Sequence, residues 1–146
     1  MQLNFKAYEF KLKKLNSNSQ IFDIIRKKFV NLTPEEWVRQ HVIHFLMIEK
    51  NVGSGLISVE KSLKFNGLSK RFDIVVSNNL AEPLLLIECK APTIAITQAT
   101  VQQAGIYLKT IKAKYVMLTN GLQHIYLMLN SETLKYEFIE ELPILN

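Results

Sequence analysis

The sequence predicts a single α/β domain in which helices flank a mixed sheet, and three observations carry that prediction. A strand–helix–strand run across Leu84 to Thr119 forms a crossover, which makes at least one pair of strands parallel. Asn66-Gly67, set between two runs of strand character, is the strongest short-range hairpin pattern a sequence offers. The third is size: 146 residues with 48% apolar content supply one core and leave no room for a second domain.

From Leu3 to about Lys14 apolar and charged residues partly alternate. Asn16-Ser17-Asn18-Ser19 reads as a turn into Ile21-Phe22-Asp23-Ile24, which together make an N-terminal hairpin and lead-in over residues 1–32. Thr33 is then an N-cap, Pro34 stands at the first helical position, and Glu35 and Glu36 sit where the helix dipole favours negative charge. The spacing predicts a helix from about Pro34 to Lys50. Val38, Val42, Phe45 and Leu46 face the core, with Glu36, Arg39 and Gln40 roughly opposite, and Gly53 and Gly55 end it. Trp37 reads as a core or staple residue. Strands follow over about Leu56–Phe65 and Leu68–Ser77, then a turn from Asn78 to Pro83. Leu84-Leu85-Leu86-Ile87 is a continuous apolar run, as a central strand buried on both faces requires. Thr97 caps a second helix reaching about Lys112, with Val101, Ala104, Gly105, Leu108 and Ile111 at core spacing and Gly105 permitting close packing on the sheet. Strands at Tyr115–Thr119, Ile125–Leu129 and Leu134–Ile139 complete a core over residues 33–146.

Composition excludes several classes of function. No apolar stretch approaches the ~18 residues of a membrane helix, and the Met1 segment mixes charge with apolar residues where a signal peptide has an apolar run. The expectation is a soluble cytoplasmic protein with no membrane partner. Cys89 is the single cysteine, so no internal disulfide forms and no zinc site rests on cysteine alone. A nucleic-acid motor does not fit this length, and no GxxxxGK[ST] phosphate loop is present. The net charge of +5 favours an anionic partner.

Hairpin register gathers the chemistry. A turn centred between Leu80 and Ala81 sets Asp73 opposite Glu88, and Lys90, two residues on, shares that face. The Asn66-Gly67 hairpin sets Glu60 opposite Asp73, so three carboxylates and a lysine are expected on one face at one edge of a sheet. Like charges this close repel unless a counter-charge joins them. Mg²⁺ is the economical counter-charge: it takes oxygen ligands and keeps several waters, and Mn²⁺ substitutes for it. A metal beside an ammonium suits phosphodiester hydrolysis without a covalent intermediate.

Asp73, fourteen residues, then Glu88-Cys89-Lys90 resembles the D…ExK signature of the PD-(D/E)xK nuclease superfamily. The context is more specific. Leu32–Gln40, Lys70–Val76, Leu84–Pro92, Gln103–Tyr107 and Leu118–Gly121 together resemble the N-terminal nuclease domain of type I restriction enzyme R subunits, in its short stand-alone branch, over roughly Ile21 to Tyr126. The resemblance implies a restriction-endonuclease-like mixed sheet and a Mg²⁺-dependent DNA endonuclease of restriction or defence type. By position, it makes Asp73 and Glu88 metal ligands and Lys90 the catalytic lysine. Glu36 becomes the first-helix glutamate that completes such sites, with Glu35 or Glu60 as alternatives. Gln103 and Tyr107 correspond to the QxxxY element, thought to touch DNA or support the site, and Arg71 lies in the matching segment as a nucleic-acid contact or site support. Two departures stand out: Phe72 occupies the position before Asp73 where the superfamily pattern has proline, and these 146 residues hold no helicase motor.

Each residue also has a plainer role to weigh. Asp73, Glu88 and Lys90 alone match a salt-bridge cluster at strand ends; Glu36 also serves the helix dipole, and Glu35 pairs with Arg39 at i, i+4. Gln103 and Tyr107 are read on the helix side away from Val101, Ala104 and Leu108, where a half-covered surface tyrosine is the alternative. Cys89 points to the opposite face as a small core residue, and His41, His44 and His124 have no partner at metal spacing. The basic runs around Lys11–Lys14, Arg26–Lys28 and Lys109–Lys114 read as solvated faces that double as phosphate contacts in a nuclease. Two other functions compete with the endonuclease: a nuclease-derived module that holds nucleic acid without cutting, and a subunit serving a homodimer or a separate restriction or motor partner.

Overall fold

The computed structural model describes residues 1–145. A three-stranded antiparallel sheet comes first: β1 (Leu12–Leu15), β2 (Asn18–Asp23) and β3 (Lys28–Asn31). After helix α1 (Pro34–Ile48), a six-stranded mixed sheet follows in sequential order. Its strands are β4 (Ile57–Phe65), β5 (Leu68–Ser77), β6 (Pro83–Cys89), β7 (Tyr115–Thr119), β8 (His124–Leu129) and β9 (Tyr136–Ile139). Helix α2 (Gln98–Leu108) is the crossover between β6 and β7, the one parallel pair, as the strand–helix–strand reading requires.

The two helices lie on opposite faces of the large sheet. Val38, Val42, Ile43 and Leu46 of α1 pack on Ile57, Ile74, Val76, Leu85, Ile87 and Met117, forming the larger core. Leu108 of α2, with Val101 and Ala104, packs on Val75, Leu86, Val116 and Leu118 on the other face. Such side chains contribute ~1.5–3 kcal/mol each when fully buried. The alternation of β6, with Leu85 and Ile87 to one helix and Leu86 to the other, explains its unbroken apolar run.

Several elements differ from the sequence reading. The N-terminal hairpin is shorter: its loop is Asn16-Ser17, with Asn16 at φ 59, and β3 adds a third strand the sequence reading lacks. Residues ahead of β1 form no strand and instead lie over α1, with Phe10 against Trp37, His41 and His44, and Phe5 against His41. Asp23 and Arg26 close the remaining side, so Glu36, Arg39 and Gln40 are buried along with the apolar stripe. Thr33 caps it as expected, its Oγ1 accepting from the Glu36 amide at 3.0 Å. The glycines do not end it: Gly53 has an ordinary negative φ, and Asn51, at φ 59, makes the left-handed step after Ile48. Helix α2 stops at Leu108, four residues early, although Ile111 in the following loop is still fully buried. Gly105 faces open space, so it does not serve close packing against the sheet.

Candidate active site at the β5–β6 edge

The predicted register holds where it matters. Ile74 pairs with Ile87, Val75 with Leu86 and Val76 with Leu85, and a bulge at Val76/Ser77 falls on the turn side, leaving Asp73 and Glu88 in line at the other end. Asn66 and Gly67 take φ 48 and 79, both positive as a type I′ turn demands, and β4–β5 keeps its predicted register on either side of Glu60.

The shared face does not hold. Val59 and Ile74 face α1, whereas Leu63 and Phe72 belong to the core under α2, so the hairpin exchanges faces between these pairs. The exchange falls on Glu60, which takes φ 54 and drops out of the ladder opposite Asp73. Glu88 lies on the α2 face with Leu86. Asp73, at the crossover, turns its carboxylate to the α1 side: Oδ1 accepts from Arg39 Nη2 at 2.8 Å and Oδ2 from the Cys89 amide at 2.8 Å. Glu60 reaches the same side, 3.7 Å from Arg26 and 3.8 Å from Arg39.

Behind Asp73 stands a buried ionic network that sequence reasoning missed. Arg39 joins Asp73 to Glu36, with Glu35 at 3.3 Å. Glu36 also accepts from Arg26 at 2.7 Å and from Gln40 at 2.9 Å, and Arg26 and Gln40 both donate to Asp23, which is fully buried. Glu36 is therefore one arginine removed from Asp73. The signal was present in the i, i+3 and i, i+4 spacing of Glu36, Arg39 and Gln40, but an outward helix face made it look like ordinary surface pairing. Burial alone would lower the Arg39 pKa; the hydrogen bond to Asp73 and the charges of Glu36 and Asp73 outweigh it, and the guanidinium is held above its ordinary value.

On the α2 face a cavity of about 110 Å³ opens between sheet and helix, lined by Lys70, Glu88, Lys90, Thr100, Gln103 and Tyr107 among others. Burial first, then the nearby Asp73 charge, raises the Glu88 carboxyl to about 7, with Lys70 opposing. Lys70 Nζ stands 3.4 Å from Glu88 Oε1, yet that buried oxygen accepts no directed hydrogen bond. The site therefore has an unsatisfied carboxylate next to a second one. Among the described residues no three His, Cys, Asp or Glu side chains converge as a ready metal cage, so the donor set is this pair. Two carboxylates completed by waters fit Mg²⁺, and the orphaned Glu88 oxygen is where such an ion would relieve a deficit.

Helix α2 meets the cavity differently from expectation. Tyr107 is not on a polar face away from Ala104; it packs on the second core with Val101 and Ala104, and Ile106 is the outward residue. Lys70 Nζ lies 5.3 Å from the Tyr107 ring centre, a cation–π contact that ties the lysine to the helix. Gln103 is exposed at the rim and Lys90 is exposed beside Glu88. Arg71 is exposed on the opposite face of β5 from Lys70 and Phe72 and is absent from the cavity wall. Cys89 points into the α1 core as expected, and burial raises its thiol pKa well above the ordinary value. His41 and His44 stack among aromatics and engage backbone carbonyls of their own helix, while His124 bridges Thr119 and the Asn4 carbonyl, so all three have structural partners.

Residues 34–143 match the family model described as Type I restriction enzyme R protein N terminus (HSDR_N). None of the curated proteins matches the chain. Among solved structures, a fragment described as an HsdR subunit of a type I restriction enzyme from Vibrio vulnificus YJ016 superposes with a TM-score of 0.53 at 21% identity, over 77% of this chain and 24% of that one. The likeness shows a shared fold, and the chain spans about a quarter of that relative's length. No helix among the described residues is long and apolar enough to cross a membrane.

Proposed function

Because the chain belongs to the Type I restriction enzyme R protein N terminus (HSDR_N) family, we propose that it is a metal-dependent DNA endonuclease domain of restriction type that hydrolyses phosphodiester bonds at the β5–β6 edge. The observation that carries this reading is the carboxylate pair itself. Asp73 and Glu88 arrive from separate strands, and the buried Glu88 oxygen lacks a hydrogen bond and a full counter-charge. Both would hold Mg²⁺, or Mn²⁺ in its place. Held there, it would supply polarisation of a phosphate oxygen and a lowered pKa for a coordinated water.

The chain's own residues do the rest. Lys90, exposed beside Glu88, orients the attacking water and offsets the negative charge that develops on the phosphate. Arg39 fixes the Asp73 carboxylate from the α1 side, and Glu36 acts through Arg39 as a positioning residue. Gln103 and Tyr107 wall the cavity where the nucleic acid enters. Asp73 and Glu88 replaced singly by Ala should abolish metal-dependent cleavage, and Lys90→Ala should keep metal binding while losing turnover. Mn²⁺ calorimetry, with nicking assays on supercoiled, linear and single-stranded DNA, checks all three. Wild-type protein that binds no divalent ion and cuts no nucleic acid, alone or with a restriction or motor partner, overturns the reading.

One observation favours a second reading, a nuclease-derived module that holds nucleic acid without cutting. Both Asp73 oxygens already have partners, Arg39 and the Cys89 amide. Duplex binding without Mn²⁺ uptake is the result this alternative expects.

A further inference from the structure

The β4–β5 hairpin runs past the sheet. Its base pairs with β6 only from Ile74 onward, so Lys61–Phe72 is a two-stranded ribbon whose ladder partner is itself. It begins at the Glu60/Asp73 crossover, beside the candidate site, and carries Lys61, Lys64, Lys70 and Arg71 with no acidic residue. Its two faces differ sharply. The inner one holds Leu63 and Phe72, buried in the core under α2. The outer one holds the paired positions Ser62–Arg71 and Lys64–Ser69, all four exposed. Neither Lys64 nor Arg71 makes an ion pair among the described residues, whereas Lys70 on the inner side is committed to Glu88 and Tyr107.

We propose that this outer face is a duplex-DNA contact surface, in which Lys64 and Arg71, assisted by Ser62 and Ser69, grip the sugar–phosphate backbone leading away from the cleavage site. The inference rests on the nuclease reading above for its ligand and adds where and how the duplex is held. Charge is complementary: two cations and two hydroxyls, the groups that position proteins on phosphates, with no carboxylate to repel them. No aromatic ring lies on this face to stack an unpaired base, which favours a duplex over a single strand. Length also fits. Five residues per arm extend about 17 Å, close to half of the ~34 Å turn of B-form DNA, so one ribbon can follow several successive phosphates. Contacts of this kind hold register without reading bases, so the ribbon contributes affinity that does not depend on sequence.

The test measures binding of the full chain to a labelled duplex of about 30 base pairs, without divalent ion, across a salt series, while wild-type cleavage is followed separately with Mg²⁺. Lys64→Ala/Arg71→Ala should make the log affinity–log salt slope shallower by about 1.8 and weaken binding about thirtyfold at 0.15 M salt, equally for unrelated sequences. Lys6→Ala/Lys135→Ala, which removes the same charge elsewhere, should leave the slope unchanged. All four positions are exposed, and unchanged melting curves verify the fold. An unchanged slope in the ribbon variant, an equal loss in the control pair, tighter binding to single-stranded DNA, or no duplex binding by wild type overturns the proposal. Wild-type protein that binds duplex through the ribbon yet never cuts leaves this surface standing and removes the nuclease reading; cleavage with an indifferent ribbon does the reverse.

Discussion

Burial and the Asp73 charge hold the Glu88 carboxyl near pH 7, whereas an unfolded chain releases that proton near 4.5. Between those values the folded state binds more protons than the unfolded one, so stability contributed by Glu88 falls as pH rises through this window. In the metal-free protein the loss should be on the order of 3 kcal/mol. Urea midpoints between pH 4.5 and 7.5, in the presence of a chelator, should decline for wild type and flatten for Glu88→Gln. An identical slope in the variant would mean that the carboxyl is well solvated. Arg39 poses the opposite problem, because removing it strands buried Glu36 and half-buried Asp73 without their shared cation. Arg39→Ala should cost about 3–5 kcal/mol, the usual penalty for breaking a buried ion pair from one side. Thermal or chemical denaturation reads it directly.

Among the elements, the β7–β8 turn is the most tightly constrained. Gly121 takes φ 87, and a Cβ there would stand 2.9 Å from Leu3 Cδ2 and 3.0 Å from Val38 Cγ2. Asn120 braces the turn, its Oδ1 accepting from the Leu122 and Gln123 amides at 2.9 and 2.7 Å. Gly121→Ala adds strain in a left-handed conformation to a clash between the N-terminal segment and α1, and should destabilise by about 2–3 kcal/mol. Loss of the same size in Gly105→Ala would be surprising, since that helical glycine faces open space and alanine is the better helix former. A neutral or slightly raised melting temperature is expected there.

At the scale of the whole molecule, the first ten residues lie outside the family match at 34–143 yet pack on it. Leu3 is buried in the larger core, Phe5 and Tyr8 pack against it, and Phe10 covers the outer side of α1. Removing residues 1–10 should cost several kcal/mol, at ~1.5–3 kcal/mol per large apolar side chain fully buried. It would also open the Trp37–His41–His44 side of the helix to water while leaving the Arg39–Asp73 contact in place, so stability should fall while the folded fraction keeps its metal affinity. Urea denaturation and Mn²⁺ calorimetry on the truncated chain check both outcomes.

Local chemistry made much of this protein legible from its sequence. The Thr33-Pro34 helix start, the Asn66-Gly67 turn, the buried β6 run and the crossover to β7 each depend on residues close together in the chain, and each appears in the structure. The alignment of Asp73 with Glu88 was legible for the same reason, because hairpin register follows from turn position. Tertiary structure alone decided the rest. Whether Glu36, Arg39 and Gln40 meet water depends on what covers α1, and the cover comes from Asp23 and Arg26 at the end of the small sheet and from Asp73 of β5. Which way Asp73 turns depends on a face exchange at Glu60 that no two-residue period encodes. Periodicity records one element's own preference, whereas burial of a polar face is set by partners distant in sequence, and here those partners meet the helix at Glu36, Arg39 and Gln40.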